Sequence, residues 1–377
     1  MDNLDLLFLE NDTCTTERIT VHNKSFVYKH NGNDITAQSL KVMIKFINTL
    51  RRKFPNFQLP VVFDMGQAHF FDKLTYIMFE CLCDYLIENC NYKVSVSFDP
   101  KTMIHTAGIH SSPLWLLTTG QGKHIIKFKD HFNFEIYKNH YRRVLTKNDF
   151  DQPTLLCKIM DDVATFQKPY NIDAVCREKI AEVIVELIGN AGEHGEANCL
   201  VDFDIAPSYS REGTDAEFLG LNLAVINFSS QVFSSALERK IKLTDIDIER
   251  YKAVRIAYRN HSEFFNEKYT ETDFFNLTAF QHKISGRENS ITGGTGLTRL
   301  IESLETMTEA HMCYMHSGQR VVIFEPEYLR YNDDGWIGFN KNNDYFSTAP
   351  NKELFYGECY TLPGTAFNLN FVIKKEC

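Results

Sequence analysis

Glu186 and Asn190 lie four residues apart in the stretch ELIGNAGEHG. At 100° per residue they share one flank of a helix, a carboxylate beside an amide at the edge of a core. Further along, GGTGL spans Gly293 to Leu297 and opens a second helix. A glycine-rich turn feeding a helix N-terminus presents backbone N–H groups and the positive end of the helix dipole, which is the physical basis of a phosphate site. Each feature also has a plain structural explanation. The first helix can fray into a glycine cap at Gly195 with its polar residues facing water, and a glycine turn can simply connect two elements.

The elements that position these residues are legible from periodicity. Ile180, Val183, Ile184, Leu187, Ile188 and Ala191 form one apolar stripe at helical spacing, with Gly189 and Gly192 in the last turns of the same helix. Interior glycine costs a helix roughly 1 kcal/mol relative to alanine, so these two break the local rule, as residues at functional sites do more readily than others. Leu297, Leu300, Ile301 and Leu304 form the stripe of the helix that GGTGL opens.

The whole chain sets further bounds. At 377 residues it is long enough for two cores. With 44% hydrophobic and 24% charged residues and a formal charge of -9, it has the composition of a globular protein, and no basic run suggests a nucleic-acid partner. The acidic start MDNLDLLFLENDTC has too little apolar content to be expected to act as a signal peptide, and no apolar run approaches the roughly 18 residues of a membrane span. The ten cysteines are scattered without a CxxC pair. They are expected to be reduced thiols of a cytoplasmic protein.

Organisation divides the chain near TKNDFDQPT, Thr146 to Thr154, where turn formers cluster. Residues 1–150 are expected to form an α/β domain. Its elements are a helix carrying Leu40, Met43, Ile44, Ile47 and Leu50, a strand at LPVVFDM, a helix from Leu74 to Leu86 and a strand at YKVSVSF. Residues 151–377 are expected to form an α+β domain, a helix layer on a mixed, mostly antiparallel sheet. Its strands are expected at CLVDFDI, LGLNLAVINF, MCYMHSGQRVVIF and GTAFNLNFVI.

From about Thr154 to Cys377 the chain resembles the histidine-kinase-like (GHKL) ATPase superfamily, most nearly its histidine kinase and anti-sigma-factor kinase branch. The resemblance rests on Glu186, Asn190, Ala191 and His194 ending a helix, then Gly293, Gly294, Gly296 and Leu297 opening another, then Gly364 and Thr365 on a closing strand. It implies a sandwich fold that binds ATP with Mg²⁺. Asn190 would then supply an oxygen to the metal, a hard donor for a hard ion. Glu186 would polarise the attacking water or hydroxyl. Gly293, Gly294, Thr295, Gly296 and Leu297 would line the phosphate chain, and Thr365 would reach the adenine side. His194 stays open between a capping and a site role. Lys283 and Arg287, ahead of GGTGL, are either mobile-lid cations for a γ-phosphate or solvated charges.

One motif departs from the family. Where the family has an Asp followed by a glycine loop, this chain reads AVINFSSQVF, with Asn227 in the place of the Asp and Ser229 in that of the first glycine. Asn227 keeps an acceptor oxygen for the adenine amino group but loses charge assistance. The first half, around VVFDMGQAHFFDKLTYIMF, faintly resembles a STAS domain. Asp72 is followed by Lys73 where such domains carry a phosphoacceptor Ser, so a docking or regulatory role is the expectation. Two classes of function remain. One is a Mg-dependent ATPase or serine/threonine protein kinase of the anti-sigma type acting on a protein partner. The other is a catalytically degenerate, nucleotide-responsive interaction protein.

Overall fold

The computed structural model describes residues 3–12, 19–55, 59–99, 112–119, 122–137, 139–195, 198–209, 216–243, 248–285, 296–309 and 313–375. The first part of the chain gives α1 (Asp5–Glu10), β1 (Thr20–His22), β2 (Ser25–Lys29), β3 (Asp34–Ile35), α2 (Ala37–Lys53), β4 (Val61–Gly66), β5 (His69–Phe70), α3 (Lys73–Glu88), β6 (Val94–Phe98) and α4 (Gly122–Phe132). Local chemistry sets the helix starts. Thr36 and Ser39 form a capping box at α2, and the Asp72 side chain accepts from Thr75 N at 2.7 Å at the start of α3. The sheet runs β1-β2-β4-β6, with β2, β4 and β6 parallel. Helical crossovers make the α/β layer that the strand–helix–strand order predicts.

The second part gives β7 (Ile136–Tyr137), β8 (His140–Leu145), α5 (Leu155–Gln167), α6 (Ala174–Gly195), β9 (Cys199–Tyr209), β10 (Phe218–Asn227), α7 (Ser235–Leu243), α8 (Glu249–His261), α9 (Glu271–Ala279), α10 (Gly296–Met307), β11 (Tyr314–Ile323) and β12 (Phe355–Lys374). A six-stranded sheet runs β11-β12-β10-β9-β8-β7, and every pairing in it is antiparallel. The strands β7 and β8 precede residue 150, so this sheet begins ahead of the cluster of turn formers. The sequence HYRRVL hides β8 because its arginines interrupt the apolar pattern. At 20 residues, β12 also starts well before GTAFNLNFVI. Its extra length pairs with β11 through register shifts around Gly318.

One face of this sheet carries α5, α6 and α10. Ile180, Val183, Ile184, Leu187 and Ile188 are buried there against Val201, Phe203, Leu221 and Leu223, each such side chain worth roughly 1.5–3 kcal/mol over its exposed state. The opposite face is covered too. Leu200, Ala224, Ile226, Phe228, Leu362 and Ala366 share a core with Phe63, Phe79, Leu82 and Val96 of the N-terminal layer. The six-stranded sheet is thus the middle layer of the molecule.

Charged groups are sealed into that second junction. Arg142 on β8 and Asp202 on β9 have side chains with no exposure, and Arg142 Nε donates to Asp202 at 2.5 Å. Arg142 also pairs with buried Glu80 of α3, which accepts from Ser112, and its guanidinium lies 5.3 Å from the Phe132 ring centroid. Lys73 reaches Asp202 at 2.6 Å and pairs with Asp204, and His140 Nε2 lies 2.7 Å from Asp202. Burial alone would raise the Asp202 carboxyl, but Arg142, His140 and Lys73 hold it well below the usual carboxylate range. Asp202 therefore contributes stability that is complete above the unfolded value of about 3.9 and is lost as pH falls through its lower folded value. Asp204 acts in the opposite sense. Burial, only partly offset by Lys73, raises its carboxyl, so its ionised form costs stability that returns on acidification.

Among the described residues, removing Arg142 leaves buried Glu80 with no partner but Ser112 and takes one of three partners from Asp202. Arg142→Ala is expected to lower unfolding stability by about 3–5 kcal/mol in a urea titration, as for other broken buried pairs. A loss below about 1 kcal/mol would mean that water solvates the cluster.

Candidate functional site

Just ahead of α6 the Asp173 side chain accepts from Cys176 N at 3.0 Å, and the helix runs over the sheet to Gly195. Glu186 and Asn190 stand half-buried on its flank, with Asn190 Nδ2 donating to Glu186 Oε1 at 3.4 Å. This turns Asn190 Oδ1 away from the carboxylate.

The two glycines of this helix have different causes. A Cβ on Gly192 would lie 2.3 Å from Cδ1 of Phe150, whose ring packs where a side chain would stand. A Cβ on Gly189 would meet only Leu156 Cδ1, at an ordinary 3.6 Å. Packing therefore requires Gly192 and does not require Gly189.

Asn227 ends β10 beneath the last turns of α6, and its buried Nδ2 donates to the Ala191 carbonyl at 3.0 Å. It pairs in register with Thr365 on β12 and with Cys199 on β9. Burial pushes the Cys199 thiol up to about 12, so it is neutral and unreactive there. Thr365 in turn pairs with Ser317 on β11, their hydroxyls 3.1 Å apart. Ser317 Oγ donates to the Gly364 carbonyl at 2.7 Å and accepts from Phe233 N at 2.8 Å. The result is a row of short polar side chains, Asn227, Thr365 and Ser317, at one end of the sheet on the helix-covered face.

Gly364 closes this corner. Its φ is +90°, and a Cβ there would lie 2.1 Å from the Asn227 carbonyl oxygen and 2.7 Å from Ser229 N. The NFSS turn thus folds directly onto β12, and the glycine demanded by this close approach sits on β12, not in the turn.

Of the residues singled out in the sequence, Glu186, Asn190, Asn227 and Thr365 gather around the end of α6, Asn227 bonding the residue next to Asn190. Leu297 lies half-buried near the start of α10, which packs beside α6. Gly296 opens α10. Gly293, Gly294, Thr295 and Arg287 lie outside the described residues, as does the side chain of His194. Lys283 occupies a left-handed turn at φ 59°. Ser317 and Phe150 were not singled out in the sequence. A serine inside a strand pattern carries no functional signal of its own, and the only hint of Phe150 was the glycine it packs against.

Mg²⁺ bound through a nucleotide needs few protein ligands, because phosphate and water oxygens complete its octahedron. One amide oxygen on Asn190 beside one carboxylate on Glu186 fits that requirement. Among the described residues no group of three His, Cys, Asp or Glu side chains is arranged to hold a metal by itself. No described helix is long and apolar enough to cross a membrane. Compared with protein families, curated proteins and solved structures, the chain matches none.

The glycines give a matched test. Gly192→Ala is expected to cost about 1–3 kcal/mol by overpacking against Phe150. Gly189→Ala should be neutral or gain up to about 1 kcal/mol from helix propensity. Gly364→Ala, where backbone atoms cannot give way, should cost at least about 3 kcal/mol. Thermal melts of the three variants check the order; equal losses at Gly189 and Gly192 would remove Phe150 as the cause.

Proposed function

We propose that the six-stranded sheet and its helix layer form an ATP-binding module of the histidine-kinase-like type, which uses Mg-ATP hydrolysis or phosphotransfer to regulate a protein partner. The observation that carries the reading is the convergence of Asn227 and Thr365, from neighbouring strands, on the helix that bears Glu186 and Asn190. The order helix, two strands, helical segment, GGTGL helix and closing strand pair supports it further. Magnesium would be held through Asn190 and would offset phosphate charge. Glu186 would accept the proton of the attacking water or hydroxyl, Asn227 and Thr365 would face the base, and the backbone of Gly293 to Leu297 would approach the phosphates.

The N-terminal layer is, in this proposal, a STAS-like docking module that accepts no phosphate. The start of α3, where such a module would carry its acceptor, is covered by the sheet. Leu74 N donates to Asn368 Oδ1 at 3.1 Å, and Lys73 is held by Asp202 and Asp204. A site in the cytoplasm, with no nucleic-acid or membrane partner, belongs to the same proposal.

One observation favours a second reading, a nucleotide-responsive protein without turnover. Asn227 Nδ2 donates to the Ala191 carbonyl, which leaves Oδ1 as the acceptor for the adenine amino group, and an uncharged acceptor selects adenine more weakly than a carboxylate.

Titrating the full chain with ATP, with and without Mg²⁺, separates these readings from a protein that binds no nucleotide. Binding should require Mg²⁺ and weaken in Asn190→Ala. Glu186→Gln keeps volume and hydrogen-bonding reach. It should leave the melting curve and ATP affinity near wild type while lowering turnover about 10²–10⁴-fold. Mg-ATP binding without turnover, with the partner present, would select the second reading. No binding in any condition would sink both.

A further inference from the structure

The face of the six-stranded sheet opposite Glu186 and Asn190 borders a cavity of about 870 Å³. It lies between the first turns of α2 and α3 and the strands β11 and β12, so residues of both halves of the chain line it. Its mouth carries two exposed aromatic side chains, Phe71 at 73% and Tyr356 at 41% of full exposure. Exposed aromatics facing a cleft mark a contact for an apolar body.

The charge of the lining is one-sided. Asp72 and Glu358 contribute carboxylates. Asp72 accepts from Thr75 N at 2.7 Å and from the Tyr314 hydroxyl at 2.6 Å, and these bonds satisfy it without neutralising it. Among the described residues the cationic side chain in the lining, Lys73, is engaged by Asp202 and Asp204. The imidazole of His316 is pushed down to about 4 by burial, so it is neutral at neutral pH. Burial also raises the Asp72 carboxyl, a shift that a bound cation would reverse. The phenols of Tyr356 and Tyr360 are raised first by burial and then by the charges of Glu358 and Asp72, and that of Tyr314 by burial and then Asp72. The negative field of the two carboxylates therefore spans the tyrosine wall. Aromatic faces beside carboxylates in a partly desolvated cleft are the chemistry that recognises organic ammonium groups.

We infer that this cavity binds a small organic cation, a primary or quaternary ammonium group on an aromatic or aliphatic body, with Asp72 and Glu358 as counter-charges. Tyr314 and Tyr360 would face the ammonium, and Phe71 and Tyr356 would cover the apolar body. The site is separate from the proposed nucleotide site, so the inference stands whether or not ATP binds. Because both halves line it, an occupant would strengthen their docking.

The experiment is calorimetric titration of the full chain with phenethylammonium and benzyltrimethylammonium chlorides, with 2-phenylethanol and 3-phenylpropionate as neutral and anionic matches. The ammonium probes are expected to bind at least about tenfold more tightly than both controls, about 1.4 kcal/mol. Asp72→Asn keeps the helix cap, since Asn caps as well as Asp, and removes the charge. It should weaken ammonium binding about tenfold or more. Because Thr75 N and the Tyr314 hydroxyl bond different oxygens of Asp72, of which an amide keeps one, Glu358→Gln, away from any cap, is the control that should act in the same direction without lowering the melting temperature. Equal binding of cationic and anionic probes overturns the inference. So does unchanged affinity in both variants, or an ammonium affinity weaker than about 10 mM.

Discussion

Asp202 is held from three sides, by Arg142 of the neighbouring strand β8, by His140 on that same strand and by Lys73 from the first turn of α3. The docking of the N-terminal layer on the six-stranded sheet is built around the burial of this charge. An aspartate inside a protein costs several kcal/mol in desolvation unless its partners are aimed at it. Here the partners come from both halves of the chain, so neither half can move far from the other without stranding a charge. The apolar contacts of Ala224, Ile226, Phe228 and Leu362 supply non-directional attraction across the same junction. The ion pairs fix which strand faces which helix.

This junction divides the sheet into two chemical environments. On the helix-covered face, odd-numbered residues of β9 and β10 are apolar until the strand end, where Asn227, Thr365 and Ser317 replace them. A polar row at the margin of a dry core is where a ligand can be oriented without the cost of burying orphan groups. On the opposite face, carboxylates and amides are interleaved with small apolar residues, and tyrosines gather where the N-terminal helices leave a gap. The two candidate sites lie back to back across one layer of strands. A ligand on either side would bear on the same sheet.

Glycine shows how local rules and tertiary demands separate. Gly189 and Gly192 look alike on a helical wheel and both violate helix propensity. Of these two, Gly192 alone has a ring against it, whereas at Gly364 a would-be Cβ meets backbone atoms of the NFSS turn. Close approach of another chain segment, which no periodicity encodes, distinguishes them.

Periodicity alone determined the helices that carry Glu186, Asn190 and Leu297, the parallel strand–helix–strand unit of the first half, and the antiparallel strands CLVDFDI and LGLNLAVINF. These are governed by repeats of 3.6 and 2 residues, which a single segment displays by itself. The tertiary structure decided the rest. In CLVDFDI, aspartates alternate with apolar residues as they do in a strand wetted on one side, yet Asp202 and Asp204 are buried. Their partners Lys73, His140 and Arg142 lie on other segments, and ion pairing between distant segments leaves no periodic trace. HYRRVL went unread as a strand for the same reason, since Arg142 is buried by virtue of Glu80 and Asp202 and not by its own hydropathy. The cavity between the halves exists only once two separately legible layers are stacked. The sequence could name its aromatic and acidic residues, but their convergence depends on packing between segments nearly three hundred residues apart.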